Sequence, residues 1–169
     1  MEPKDLSKEQ ALALLEDFAK RWLAHDGLWF LAVEKRYGLE KAIELDEEAW
    51  ATFTVLEAKR VKEFLGLPDN GGLEALKTAL KFRLYGFLNE QEIIEEGPKR
   101  IVYRMKTCRV QAARKRKGLP DFPCKPVGIT EYSGFARTID PRIKTRCIAC
   151  PPDEHPEEFY CAWEFTLEE

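Results

Sequence analysis

Four cysteines have the spacing in this sequence best suited to chemistry. Cys147 and Cys150 form a C-x-x-C in the run CIACPPDEHPEEFYC, which ends on Cys161, and Cys124 precedes them in LPDFPCKPVG. Two thiols three residues apart reach one metal ion when a tight turn brings both sulfurs to the same side. Two more, delivered by neighbouring elements, complete a tetrahedron. The spacing therefore predicts a closed four-thiolate site at Cys124, Cys147, Cys150 and Cys161. Zn2+ is the expected metal, with an iron-sulfur cluster as the alternative. A thioredoxin-type redox pair fits less well, because that motif opens a helix and this one runs into Pro151 and Pro152. Four protein ligands leave no open position for substrate, so any reaction belongs elsewhere.

Two other groups are candidates for it. Trp22, His25 and Trp29 share one face of a helix, with Phe18 one turn earlier. An imidazole among aromatic rings suits a satisfied core histidine, or a small-molecule pocket with one titrating group. Trp22, His25, Trp29, Tyr103 and Tyr132 are the expected lining of such a pocket. Cys108, the fifth cysteine, sits beside Arg109 at the start of an expected helix. A helix N-terminus and a nearby cation both favour thiolate, so Cys108 with His25 is the candidate hydrolytic dyad, against an inert buried thiol. His155, in the Pro-rich loop, reads as a substitute metal ligand or an exposed residue. The basic run Arg114 to Lys117 reads as a solvated face, an anion site or, least well, a nucleic-acid contact. Glu44, Asp46, Glu47, Glu48 and Glu57 read as outer helix faces. No glycine-rich phosphate loop, serine nucleophile elbow or H-E-x-x-H occurs.

The chain supplies enough apolar mass to hold these groups in place: 169 residues, 44% of them hydrophobic and 34% charged, with a net charge of -3. That balance is globular and carries no general attraction to nucleic acid or an anionic membrane. The polar start MEPKDLSKEQ and the lack of a long apolar run point to the cytoplasm and to no membrane partner. In that compartment thiols and metal ligands are expected rather than disulfides.

The first half reads as helices. Ser7 and Gln10 form a capping box ahead of Leu12, Leu15, Phe18, Ala19, Trp22 and Leu23, and Gly38 is the stop. Gly27 marks a kink or a close contact. A second helix over about 40–65 presents Ala42, Leu45, Ala49, Phe53, Leu56, Arg60 and Phe64 as its stripe, and a third covers about 73–88. Strands follow at 91–95 and 100–106 around Gly97-Pro98, then helices at 108–117 and 127–138, then closing strands at 143–148 and 159–167. The expected fold class is α+β: a helical part over 1–88 packed on a β-β-α-α-β-β antiparallel unit over 89–169, with the cysteine metal site in the second part and the whole forming one compact domain.

The ending CIACPPDEHPEEFYCAWEFTL resembles the closing hairpin of the vinyl reductase domain family, small α+β ligand-binding domains. In phenol-sensing regulators of that kind, zinc is held by a cysteine, a glutamate and two further cysteines. The resemblance puts Cys147 where the glutamate stands, and the gap from Cys150 to Cys161 is longer than the family's. HDGLWF and CRVQAARKRKGLPDFPCKPVG resemble a prokaryotic cytosolic family of unassigned function that is itself similar to amino-thiazoline-carboxylate hydrolase-like proteins. These resemblances imply a zinc-stapled domain that binds a small apolar or carboxylated molecule and signals through a partner or as a homodimer. The alternative is a hydrolase of a small amide or cyclic amidine using Cys108 and His25. Fold alone does not choose between them.

Overall fold

The computed structural model describes residues 2–169. Among them the chain forms five α-helices, two 3-10 turns and one sheet. The elements are α1 Lys8–Tyr37, α2 Leu39–Leu65, α3 Gly72–Lys81, β1 Gln91–Glu95, β2 Arg100–Met105, α4 Arg109–Arg116, α5 Lys125–Ile139, β3 Ile143–Ala149 and β4 Cys161–Leu167. The class is α+β, and the second half runs β-β-α-α-β-β. No helix of the described residues is long and apolar enough to cross a membrane.

Local chemistry sets the long helices. The Ser7 amide donates to Gln10 Oε1 at 2.9 Å and the Gln10 amide to Ser7 Oγ at 3.2 Å, which closes the capping box and starts α1. Gly27 does not interrupt α1, and nothing lies within 4 Å of where its Cβ would be. Gly66 ends α2 in the left-handed region at φ 63°, a conformation that glycine adopts without a Cβ clash.

Two expectations fail in this half, for reasons of tertiary packing. The buried face of α2 is Ala42, Trp50, Thr54, Ala58 and Val61, so the stripe is rotated from the expected one, and Leu56 and Phe64 face water. Thr54 sets that rotation: its Oγ donates to the Glu131 carbonyl at 2.7 Å, where Gly134 of α5 approaches. The third helix stops at Lys81. The chain is extended at Arg83 and then forms a 3-10 turn, Leu84–Phe87. The break delivers the Arg83 side chain to the interior, where it is 1% exposed.

The sheet is antiparallel throughout, in the order β1-β2-β4-β3. Its inner face presents Ile101, Tyr103, Met105, Trp163 and Phe165 to α5, and Tyr132 stacks on Trp163 with ring centroids 4.7 Å apart. Buried Asp140, past the end of α5, accepts from the Gly72 amide at 2.9 Å and from Arg142 Nη2 at 2.7 Å. It ties the start of α3 to the start of β3.

Candidate functional site

Arg83 is a deeply buried charge near the junction of helices and sheet. Its Nε donates to Glu57 Oε2 at 2.8 Å, and its Nη2 lies 2.6 Å from Glu131 Oε1. The second approach is off the hydrogen-bonding direction, so Arg83 Nη1 and Nη2 and Glu131 Oε1 make no hydrogen bond. Four rings surround the guanidinium, with centroids at 4.6 Å for Phe135, 5.3 Å for Tyr132, 5.5 Å for Tyr85 and 5.9 Å for Trp50. Burial opposes the arginine's charge, but Glu57 and Glu131 more than offset it. For Glu131 the balance runs the other way: burial outweighs Arg83 and pushes its carboxyl up to about 7.

Outside this knot, α1 and α2 form a cleft of about 610 Å³. Its walls include Trp22, Trp29 and Phe30, and its polar lining is His25, Asp26, Asp46, Glu48 and Thr52, with no lysine or arginine. Trp22 stacks on Phe53 at 5.5 Å and meets Trp50 edge-on at 6.4 Å. Asp46 lies one turn before Trp50, whose side chain hydrogen-bonds it. Burial, then the charges of Asp26 and Glu131, push the Asp46 carboxyl up to about 7. Burial raises Asp26 as well. The cleft thus holds three carboxyls between aromatic walls; His25 offsets the charge of Asp26, and no lysine or arginine of the lining offsets that of Asp46. A second depression of about 530 Å³ lies between α3 and β1, but there Lys77 already bridges Glu74 at 2.6 Å and Glu95 at 2.7 Å.

The cysteines occupy the other end of the fold. Side chains alternate along a strand, so Cys147 and Cys150 should point to opposite faces. A bulge between Cys147 and Ala149 adds one residue to β3 and restores them to the same side. Ala149 accordingly packs with Phe159 and Ala162, while Cys147, Cys150 and Cys161 join the main core. Cys124 caps α5, and its Sγ stands 3.5 Å from Cys150 Sγ. Cys150 also shares a thiol contact with Cys161. The Cys124 contact leads the effects that hold the Cys150 thiol far above the usual range. Burial pushes Cys147 up to about 11. Gln111 braces the approach to Cys124, donating to the Phe122 carbonyl at 2.8 Å and accepting its amide at 2.9 Å. Lys125 and Asp153 pair at 2.7 Å beside the C-x-x-C. Among the described residues, no three His, Cys, Asp or Glu side chains are arranged so that they could hold a metal ion.

The structure separates the other candidates. Trp22, His25 and Trp29 lie on the cleft, and His25 is exposed at its rim. Tyr103 and Tyr132 lie in the core at 1% and 4% exposure, their rings 5.7 Å apart, and neither lines the cleft. Cys108 precedes α4, as expected, but burial pushes its thiol up to about 12. Among the described residues no hydrogen bond joins it to His25. Arg114 is not solvated: it is buried and grips both oxygens of Glu34 at 2.8 and 3.1 Å. Asp46 and Glu57 are not outer-face residues either. Periodicity offered one clue to them, since Asp46 falls four residues after Ala42 and four before Trp50, on the buried face of α2.

The chain belongs to the Family of unknown function DUF6125, which matches residues 4–167. No curated protein and no solved structure matches it.

Proposed function

We propose that this DUF6125 protein binds a small organic cation in the α1–α2 cleft and that its four-cysteine corner is a zinc clamp. The observation that carries the reading is Asp46: a carboxyl pushed up to about 7 in an aromatic-walled cleft whose lining includes no cation. A bound ammonium or amidinium supplies the missing positive charge, and the faces of Trp22 and Trp29 attract the same species. The carboxylated ligand expected from the resemblance is repelled by this lining. His25 sits at the mouth, able to exchange hydrogen bonds with a polar end of the ligand.

For the clamp, four thiols suit zinc chemically, and the metal would have to draw them together, because no three of them are grouped around one point in this structure. Zn–S bonds of about 2.3 Å in a tetrahedron space the sulfurs roughly 3.8 Å apart. Cys124 and Cys150 already stand 3.5 Å apart, and Cys161 touches Cys150. Zinc bound by Cys124, Cys147, Cys150 and Cys161 would cross-link the α5 start to the β3–β4 hairpin. The five free cysteines accord with a reducing compartment, the cytoplasm. The hydrolase reading is not adopted, because burial disfavours the Cys108 thiolate.

Calorimetric titration with tetramethylammonium and butylammonium, against benzoate and phenol, tests the cleft. The cations should bind, and Asp46→Asn should weaken them at least tenfold. Equal binding of benzoate, or cation binding unchanged in Asp46→Asn, overturns the reading. Metal analysis of the purified protein should find about one zinc per chain, lost in Cys147→Ser/Cys150→Ser. A folded, metal-free wild type refutes the clamp.

A further inference from the structure

Cys124 and Cys150 are placed for a bond to each other. Their sulfurs stand 3.5 Å apart, in contact, although 26 residues separate them in the chain. A disulfide needs about 2.05 Å, so closing the pair takes a shift of about 1.5 Å, within the reach of side-chain rotation. The contact is held from both backbones. The Lys125 amide, one residue past Cys124, donates to the Pro151 carbonyl, one residue past Cys150, at 2.9 Å. Lys125 Nζ reaches Asp153 at 2.7 Å, which ties the same two segments a second time. Gln111 steadies the sulfur itself. Its amide nitrogen has two hydrogens to give: Nε2 donates to the Phe122 carbonyl at 2.8 Å and lies 3.8 Å from Cys124 Sγ.

The two thiols differ in access. Cys150 is 1% exposed, whereas Cys124, at the cap of α5, is half-buried. A hydroperoxide therefore meets Cys124 first. The Cys124 sulfur attacks one peroxide oxygen and the O–O bond breaks, leaving a sulfenic acid and one water. Cys150 then attacks that sulfur. The S–S bond forms, the S–O bond breaks, and the departing hydroxide takes up a proton as a second water. Two electrons pass from the sulfurs to the peroxide, and both thiol protons end in the waters. Because Cys150 already touches Cys124, the sulfenic acid is captured before a second peroxide carries it to sulfinic acid. Cys161 also touches Cys150, but the Gln111 brace belongs to Cys124.

We infer that Cys124 and Cys150 form a reversible disulfide when a hydroperoxide reaches the chain, and that closing it expels the clamp's zinc. The bond consumes two of the four proposed ligands, and Cys147 with Cys161 is half of the set that a structural zinc requires. Oxidation thus exchanges a metal cross-link between the α5 start and the β3–β4 hairpin for a covalent one. The disulfide stands on the thiol geometry alone; the zinc release rests on the clamp reading above.

Hydrogen peroxide added to the purified, reduced full chain tests both halves. Zinc is counted before oxidation and followed with a chromogenic chelator, and disulfides are mapped by peptide mass spectrometry after free thiols are blocked. A peptide joining Cys124 to Cys150 should appear and revert with dithiothreitol, and bound zinc should fall at least tenfold in step with it. Cys161→Ser should still form the link. Cys150→Ser should leave Cys124 as a sulfenic acid that dimedone labels. A wild type that links Cys150 to Cys161 instead, or in which Cys124 runs on to sulfinic acid unlinked, overturns the disulfide. Zinc retained after the link has formed overturns the release. A chain purified without zinc that still forms the link refutes the clamp, and the release with it, and upholds the disulfide.

Discussion

Asp140 and Asp46 are the same side chain in opposite situations. Asp140 is fully buried, yet Arg142 and the backbone amides of Arg142 and Gly72 hold its carboxyl down to about 2. The Asp46 carboxyl is instead pushed up to about 7, because burial, its largest cause, is reinforced by Asp26 and Glu131 and offset only by Trp50. A buried acid is stable where the chain supplies its partners. An acid whose charge the chain leaves unpaired in a cleft is the pattern on which the proposed cation site rests. The same contrast holds between single carboxylates at the two ends of the molecule: Glu164, on the sheet, is paired with Arg146 at 2.7 Å and Arg100 at 2.5 Å, whereas Asp46 lines a cleft without lysine or arginine.

The largest break in this contrast comes from the group that joins the two ends. Arg83→Met strands Glu57 and Glu131 in the interior, and should cost about 3–5 kcal/mol, read by denaturant unfolding. Adding Glu131→Gln should recover part of that loss, which a purely steric defect would not allow.

Asp140→Ala comes next. It leaves the Gly72 amide unpaired and frees Arg142, at a cost of about 2–3 kcal/mol at neutral pH. Because the folded carboxyl lies below its ordinary value of 3.8, its contribution is present above about pH 4 and is lost as pH falls toward 2. Wild type and Asp140→Ala should therefore converge in stability in strong acid.

Asp46 gives the smallest effect and the opposite sign. Its folded carboxyl lies above the ordinary 3.8, so between about pH 4 and 7 the folded chain holds a proton that the unfolded chain has released. Stability from this residue is full below that window and falls as pH rises through it. The groups facing it are Asp26 from α1, Glu131 from α5 and Trp50 on its own helix. Asp46→Asn should flatten the slope and stabilise the unliganded protein by on the order of 1–2 kcal/mol at pH 8, read from thermal unfolding.

What could be read from the sequence follows the same division. The order of elements was legible because local rules set it: the Ser7–Gln10 box, the stops at Gly38 and Gly66, and the turn at Gly97. The proximity of Cys124 to Cys150 followed from spacing, although the device that keeps Cys147 and Cys150 on one face is a strand bulge, not a tight turn. The centre of the molecule was not legible. Arg83 sits where periodicity continues a helix, and its partners Glu57 and Glu131 lie 26 and 48 residues away on other elements. Asp46 and Glu57 are indistinguishable from surface acids until α2's rotation is known, and the contact of Thr54 with α5 settles that rotation. Arg114 was hidden in a basic run for the same reason, since Glu34 comes from α1.

The central proposal is that the cleft binds an organic cation through Asp46. Its most direct test is the affinity for tetramethylammonium measured by calorimetry at pH 6 and pH 8, in wild type and in Asp46→Asn. Loss of a proton from a carboxyl near 7 should tighten wild-type binding by up to about tenfold between those values, with proton release on binding, and Asp46→Asn should bind weakly and equally at both. Binding that is independent of pH in the wild type, or as tight in Asp46→Asn, would contradict the account.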